Sequence, residues 1–320
     1  MIGKLSCVLT AAASALVLSA CGSSSGGSPL SGGTSSTSSP AGSSSTGTTS
    51  GGSITVGSAN FPENVLLAEI YAGALKAKGV KVNEKLNIGS REVYIPALKD
   101  GSIDLIPEYN GTLLSYINKG KTTTTPSGSD AVYAALKSAL PQGLSLLTQS
   151  TAEDKDTIAV TKATAAKYHL ASIADLAPVA SKLSIGAGPE FKDRQTGLLG
   201  LKSVYNVVFK TFKPLDAGGV LTVRALSSGS VDAANVFSTD SAIKTKGFVV
   251  LSDPKNLFLA ENIVPVLTAS KVTPTVTATL NAVSAKLTTA VLTDLVSKVQ
   301  VDKQDSVKVA DAFLSSNGLS

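Results

Sequence analysis

ALKDGSIDLIPEYNGT, from Ala97 to Thr112, and ALSSGSVDAANVFSTD, from Ala225 to Asp240, align without a gap. Ala-Leu, Gly-Ser and Asp coincide, Ile103 faces Val231, and Tyr109 faces Phe237. Each copy reads as the end of a helix, a glycine turn, a short strand, and a loop opening on an aromatic residue. In a parallel α/β sheet, ligand loops gather at that strand-to-helix edge. Two such edges facing one another make a cleft with one aromatic on each wall, so the repeat predicts a two-lobed ligand clamp. A repeat this long, present only twice, excludes a solenoid.

The flanking sequence extends the pattern. Ser53 to Ser58 predicts a strand, and Pro62-Glu63 opens a helix that stops at Gly79. Val80 to Ile88 predicts the next strand, Gly89-Ser90-Arg91 a loop, EVYIPALKDG a helix, and Ile103 to Ile106 a third strand. This order implies a parallel sheet with right-handed crossovers. Lys119 to Asp130 is loop-like, and a helix follows through Leu140. Thr157 to Thr161, Leu183 to Ala187 and Phe248 to Leu251 predict strands, with the first crossing between lobes placed at Thr157 to Thr161. GLLGLKSVYNVVF (197–209) predicts a helix, and Ile263 to Leu267 returns the chain to the first lobe. Pro265 there predicts an edge strand or a bulge. Helices from Thr273 to Ser320 are expected to pack on the first lobe, with apolar residues three and four apart. The expected organisation is lobe one at 54–157 plus 259–320 and lobe two at 158–258, joined by two hinge strands.

Met1 to Cys21 reads as a secretory signal: Lys4, an apolar run from Cys7 to Leu18, then Leu-Ser-Ala-Cys. The run is too short to span a bilayer comfortably. Its end resembles the lipobox of bacterial lipoproteins, which implies lipidation of Cys21 and a place on the outer face of the cytoplasmic membrane. Residues 22–53 are nearly all Ser, Gly and Thr. Such a stretch lacks the apolar surface to fold, and its reach as a tether is roughly 30 Å. Its Gly22-Ser23-Ser24-Ser25-Gly26 matches G-x-S-x-G by composition alone, since a nucleophile elbow needs a strand before it and a helix after it.

Composition excludes several chemistries. Of the two cysteines, Cys7 leaves with the signal, so no disulfide, cysteine nucleophile or thiolate metal site is expected. The single histidine, His169, sits where a helix gives way to a loop. Neither a metal cluster nor His-based catalysis is expected, and no cofactor. A formal charge of +5 over 320 residues, without basic runs interleaved by aromatics, argues against nucleic acid.

Residues 54–320 resemble the substrate-binding proteins of osmoprotectant ABC importers. The landmarks are NFPENVLLAEIYAGAL (60–75), IDLIPEYNGT (103–112), IAVTKATAAKYHLASIADL (158–176), GPEFKDR (188–194), VDAANVFSTD (231–240) and ENIVPVL (261–267). The resemblance implies a type II periplasmic-binding-protein fold whose lobes close on ligand, and no enzymatic activity. It implies a ligand of the glycine betaine, choline or carnitine kind, and a permease with a cytoplasmic ATPase as partner to a monomeric binding protein. A methylated cation donates no hydrogen bond, so it is held by aromatic faces. In such relatives the box is four tyrosines. The resemblance carries the first to Tyr109, with Thr112 as polar neighbour, and another to Phe237, beside Thr239. The remaining two positions fall near Asp156 and at Glu261, which are acids. Asn60, Asn64 and Ser90 complete the candidate ligand contacts. The acidic replacements leave open a polyol or phenolic ligand, or a sensor module built on the same clamp.

Overall fold

Both copies of the repeat fold in the same register. In the computed structural model, which describes residues 52–119 and 126–320, strand β3 (Leu105–Tyr109) and strand β8 (Ala233–Phe237) occupy aligned positions. The expected signal segment, Cys21 and nearly all of the linker lie outside the described residues. The turn before each strand is built alike. Gly101 and Gly229 take φ of 80° and 72°, where a side chain would be strained. Ile103 and Val231 donate back to the carbonyls of Ala97 and Ala225. Asp104 accepts the Thr55 N–H and Asp232 the Ser184 N–H, both at 2.8 Å. Lys85 and Lys213 then donate to the carbonyls of Ser102 and Ser230. Asp104 caps the neighbouring strand through Thr55, and the third strand starts at Leu105 and not at Ile103.

The first sheet has the order β2 (Val82–Gly89), β1 (Ile54–Ala59), β3, β10 (Ile263–Thr268), β4 (Leu144–Leu146). The second has β7 (Thr211–Pro214), β6 (Ser184–Ala187), β8, β5 (Asp156–Val160), β9 (Val249–Leu251). Three strands in each run parallel, but β10 is antiparallel to β3 and β5 to β8, so the lobes are mixed sheets rather than purely parallel ones. The cause is the connection between lobes. β10 enters where Ile263 meets Tyr109, and β5 where Asp156 meets Phe237. A chain arriving at the edge where β3 and β8 end must run back against them.

The first crossing therefore lies ahead of Asp156, not within Thr157 to Thr161. It runs beside the second: Glu153 bridges Asn262, Asp154 N–H donates to the Glu261 carbonyl, and Ile263 N–H donates to Ala152. β4 and β7 were not anticipated. β7 follows because the helix Leu198–Tyr205 stops at Asn206, left-handed at φ 56°, so 207–209 leave the helix. Pro265 is not at an edge either. It faces Pro107, and both carbonyls turn away from that pairing, toward Leu147 N–H and the Asn64 amide. Neither missing N–H falls in the β3–β10 ladder.

Helix Pro62–Ala77 begins with Pro in its first turn and Glu63 beside it. It is buried on nearly every side because the sheet lies beneath it and the helices Pro274–Lys286, Thr289–Gln300 and Ser306–Ser316 cover it. Leu66, Leu67, Ile70 and Leu75 are fully buried, each contributing about 1.5–3 kcal/mol over exposure. This packing fixes the helix start, and with it Phe61 and Glu63, at the sheet edge. The second lobe has its own core around Ile158, Ile185, Leu201 and Phe258.

Candidate functional site

The cleft is lined where strands end. Phe61 precedes Pro62 in extended backbone between β1 and its helix, Tyr109 ends β3, and Phe237 ends β8. The Phe61 ring lies between the other two, with centroids 5.9 Å from Tyr109 and 5.2 Å from Phe237 and tilted planes. Offset and tilted pairs of this kind are the favoured aromatic geometry. The aromatics bound a cavity of about 50 Å³ to which both lobes contribute. At about 10–15 Å³ per water this holds a few waters. A larger guest needs the lobes to part or Phe61 to move.

Beneath the aromatics, Arg91 binds Glu108 through Nε and Nη2, both at 2.8 Å, and Nη2 also reaches Thr112 Oγ1 at 3.0 Å. Glu108 further accepts the Tyr94 hydroxyl and the Tyr109 N–H. Burial disfavours the Arg91 charge, but Glu108 outweighs it and holds the guanidinium protonated. Glu261, 1% exposed, accepts the N–H and hydroxyl of Thr112 through Oε2, while Oε1 has no partner. Burial, reinforced by the charge of Asp156, pushes its carboxyl well above the usual range. Asp156 accepts the Asn235 amide at 2.8 Å, and burial raises it too.

Two ties join the lobes. At the mouth, Arg194 forks onto Glu92 at 2.9 and 2.7 Å. Burial works against the Glu92 charge, yet the Arg194 and Ser90 hydrogen bonds bring its pKa down to about 2. At the back, Glu63 accepts the Tyr109 hydroxyl at 2.8 Å and the Thr239 hydroxyl at 2.5 Å. Asp154, whose Oδ1 accepts the Thr239 N–H, lies against it. Burial raises both carboxyls; the charge of Glu63 raises Asp154 further, while hydrogen bonds with Thr239, Tyr109 and Asp154 draw Glu63 partly back. Among the described residues, no three His, Cys, Asp or Glu side chains are placed to hold a metal, and no helix is long and apolar enough to cross a membrane.

Residues 52–316 match the family described as the substrate binding domain of ABC-type glycine betaine transport systems. The chain belongs to this family. It is 28% identical over 277 residues to the glycine betaine-binding protein YehZ of Escherichia coli (strain K12), covering 83% of this chain and 90% of that one. It is 27% identical over 271 residues to the ergothioneine transport permease/ergothioneine binding protein EgtU of Helicobacter pylori (strain G27). That match covers 83% of this chain but 48% of the relative, so this chain spans about half its length. Among solved structures, a glycine betaine/carnitine/choline ABC transporter protein superposes with a TM-score of 0.63 at 24% identity, covering 83% of this chain and 99% of that one. The family is one of solute-binding proteins with two α/β lobes.

Of the residues expected at the binding protein's site, Asn60, Ser90, Tyr109, Thr112, Asp156, Phe237 and Glu261 line the cavity. Asn64 does not: its amide staples the lobe-one sheet, accepting from Ala59 N–H at 2.7 Å and donating to Pro107 at 2.9 Å. Thr239 is also set back, spent on the Glu63 and Asp154 tie. Phe61 was missed, although it opens the same kind of strand-to-helix loop as Tyr109. Arg91 and Arg194 were missed because their partners, Glu108 and Glu92, are 17 and 102 residues away in sequence.

Proposed function

We propose that this protein captures a small quaternary ammonium compound of the glycine betaine or choline type outside the cytoplasmic membrane. It then delivers the compound to an ABC permease served by a cytoplasmic ATPase. The observation that carries this is the three-ring stack across the cleft, Phe61 between Tyr109 and Phe237 at 5.9 and 5.2 Å. Parting the lobes opens faces on both walls, and closure wraps them around a methylated cation. Each such contact contributes about 0.5–1 kcal/mol at exposed sites and about 2 or more when desolvated. The family match and the glycine betaine-binding relative support the same ligand class.

Asn60, Ser90, Tyr109, Thr112, Asp156, Phe237 and Glu261 contact the ligand in this reading, and Phe61 joins them. The lobes, 54–155 plus 259–320 and 156–258, hinge at their paired crossings on a microsecond-to-millisecond scale. Lipid on Cys21 and the linker 22–53 hold the monomeric domain beside the membrane. Calorimetric titration with choline, glycine betaine and carnitine tests the ligand class, and at least one should bind saturably at one site. Binding of polyols or phenolics alone would replace the quaternary ammonium reading.

A further inference from the structure

We infer that the cavity selects a ligand that carries a net positive charge and no carboxylate, a choline-type ammonium alcohol, over zwitterions such as glycine betaine and carnitine. The inference rests on the quaternary ammonium reading above and narrows it.

A ligand carboxylate is held most strongly by a free guanidinium or a free helix N-terminus. Both cations lining the cavity, Arg91 and Arg194, are already engaged by two-pronged pairs with Glu108 and Glu92. Three helix starts beside the cleft are held by acids of the protein itself: Arg91–Lys99, Asn110–Ile117 and Val220–Ser227. In the first, Glu92 accepts its own N–H and the Ser90 hydroxyl. The second has Glu261 on Thr112 N–H at 3.0 Å, and the third has Asp216 on the N–H groups of Leu221 and Thr222 at 2.9 and 2.8 Å. At these three starts the protein's own acids fill the place where a ligand anion would sit.

What the cavity leaves open is acceptor capacity. Glu261 keeps a buried oxygen without a partner, and Asp156 is held by a single amide from Asn235. A hydroxyl donates to these oxygens while the methylated ammonium lies on the aromatic faces. The charged groups facing Glu261 are Asp156 and Arg91, and those facing Asp156 are Arg194, Arg91 and Glu190. With both arginines neutralised by other partners, a bound cation favours ionised Glu261 and Asp156. Binding then releases protons and tightens as pH rises. A zwitterion needs these acids protonated to meet its carboxylate, so its binding weakens over the same range.

The test is calorimetry of the purified protein with choline, glycine betaine and carnitine, in two buffers of different ionisation heat, between pH 6 and 8. Choline should bind at least about tenfold more tightly than either zwitterion and release protons. Glu261→Gln, which keeps an acceptor for Thr112, should weaken choline at least about fivefold, abolish part of the proton release, and leave the zwitterions unweakened. Glycine betaine or carnitine binding as tightly as choline overturns this inference while leaving the ligand class standing. Binding of none of the three overturns the ligand class itself, and this inference with it.

Discussion

Replacing Glu108 by alanine removes the buried anion under the cleft floor. The side chain is fully buried and accepts four hydrogen bonds: two from Arg91 at 2.8 Å, one from the Tyr94 hydroxyl at 2.8 Å and one from the Tyr109 N–H at 2.9 Å. Breaking a buried ion pair by deleting one partner costs about 3–5 kcal/mol, because the other charge stays buried. Each stranded donor adds about 1–3 kcal/mol where water cannot reach it. These terms overlap, so the expected loss is about 4–6 kcal/mol, a large share of a typical stability of about 5–15 kcal/mol. Urea unfolding at pH 7 should show it as a lower midpoint with an unchanged slope. The double variant Arg91→Met, Glu108→Leu should recover most of the loss, since apolar groups of similar volume often replace such pairs without penalty. A loss below about 1.5 kcal/mol, or a double variant no more stable than the single, would refute the reasoning.

Tyr109→Ala, Phe237→Ala and Phe61→Ala should each weaken quaternary ammonium binding by about 1–3 kcal/mol, roughly five- to 150-fold by calorimetry, and should couple because all three rings form one stack. The Glu63–Asp154 pair sets a pH dependence of stability. Both carboxyls titrate above their ordinary values in the folded protein, so their contribution is intact in acid and is lost as pH rises through the folded pKa values. Denaturation at pH 5 and pH 8 should therefore find Asp154→Asn stabilising at pH 8 and close to neutral at pH 5. Gly111→Ala should cost about 1–3 kcal/mol, since its Cβ would fall 2.4 Å from the Ala260 carbonyl oxygen and crowd the second crossing; a thermal shift within error of wild type would contradict that packing.

The two lobes were legible because the repeat records local chemistry. A left-handed glycine, an aspartate capping the neighbouring strand and an apolar inward residue recur at each strand start, as Gly101, Asp104 and Ile103 do against Gly229, Asp232 and Val231. Tyr109 and Phe237 were legible for the same reason, as strand-end aromatics. The antiparallel β5 and β10 were not, because strand direction depends on which edge a crossing chain enters. Nor was the fate of Asn64 or Thr239. Both carry polar groups suited to a ligand, and only their distant partners Pro107, Glu63 and Asp154 decide that these groups are spent internally. The pairing of Arg91 with Glu108 and of Arg194 with Glu92 leaves no periodic trace in the chain, yet it sets the charge that the cleft presents.

A crystal structure of the protein grown with choline tests the central claim most directly. The account predicts the trimethylammonium within about 6 Å of the Tyr109, Phe237 and Phe61 ring centroids, with both lobes closed on it and the hydroxyl directed at Glu261 or Asp156. Choline bound elsewhere, as in the groove between helices Arg91–Lys99 and Asn110–Ile117, or a cleft that excludes it at saturating concentration, would contradict the account.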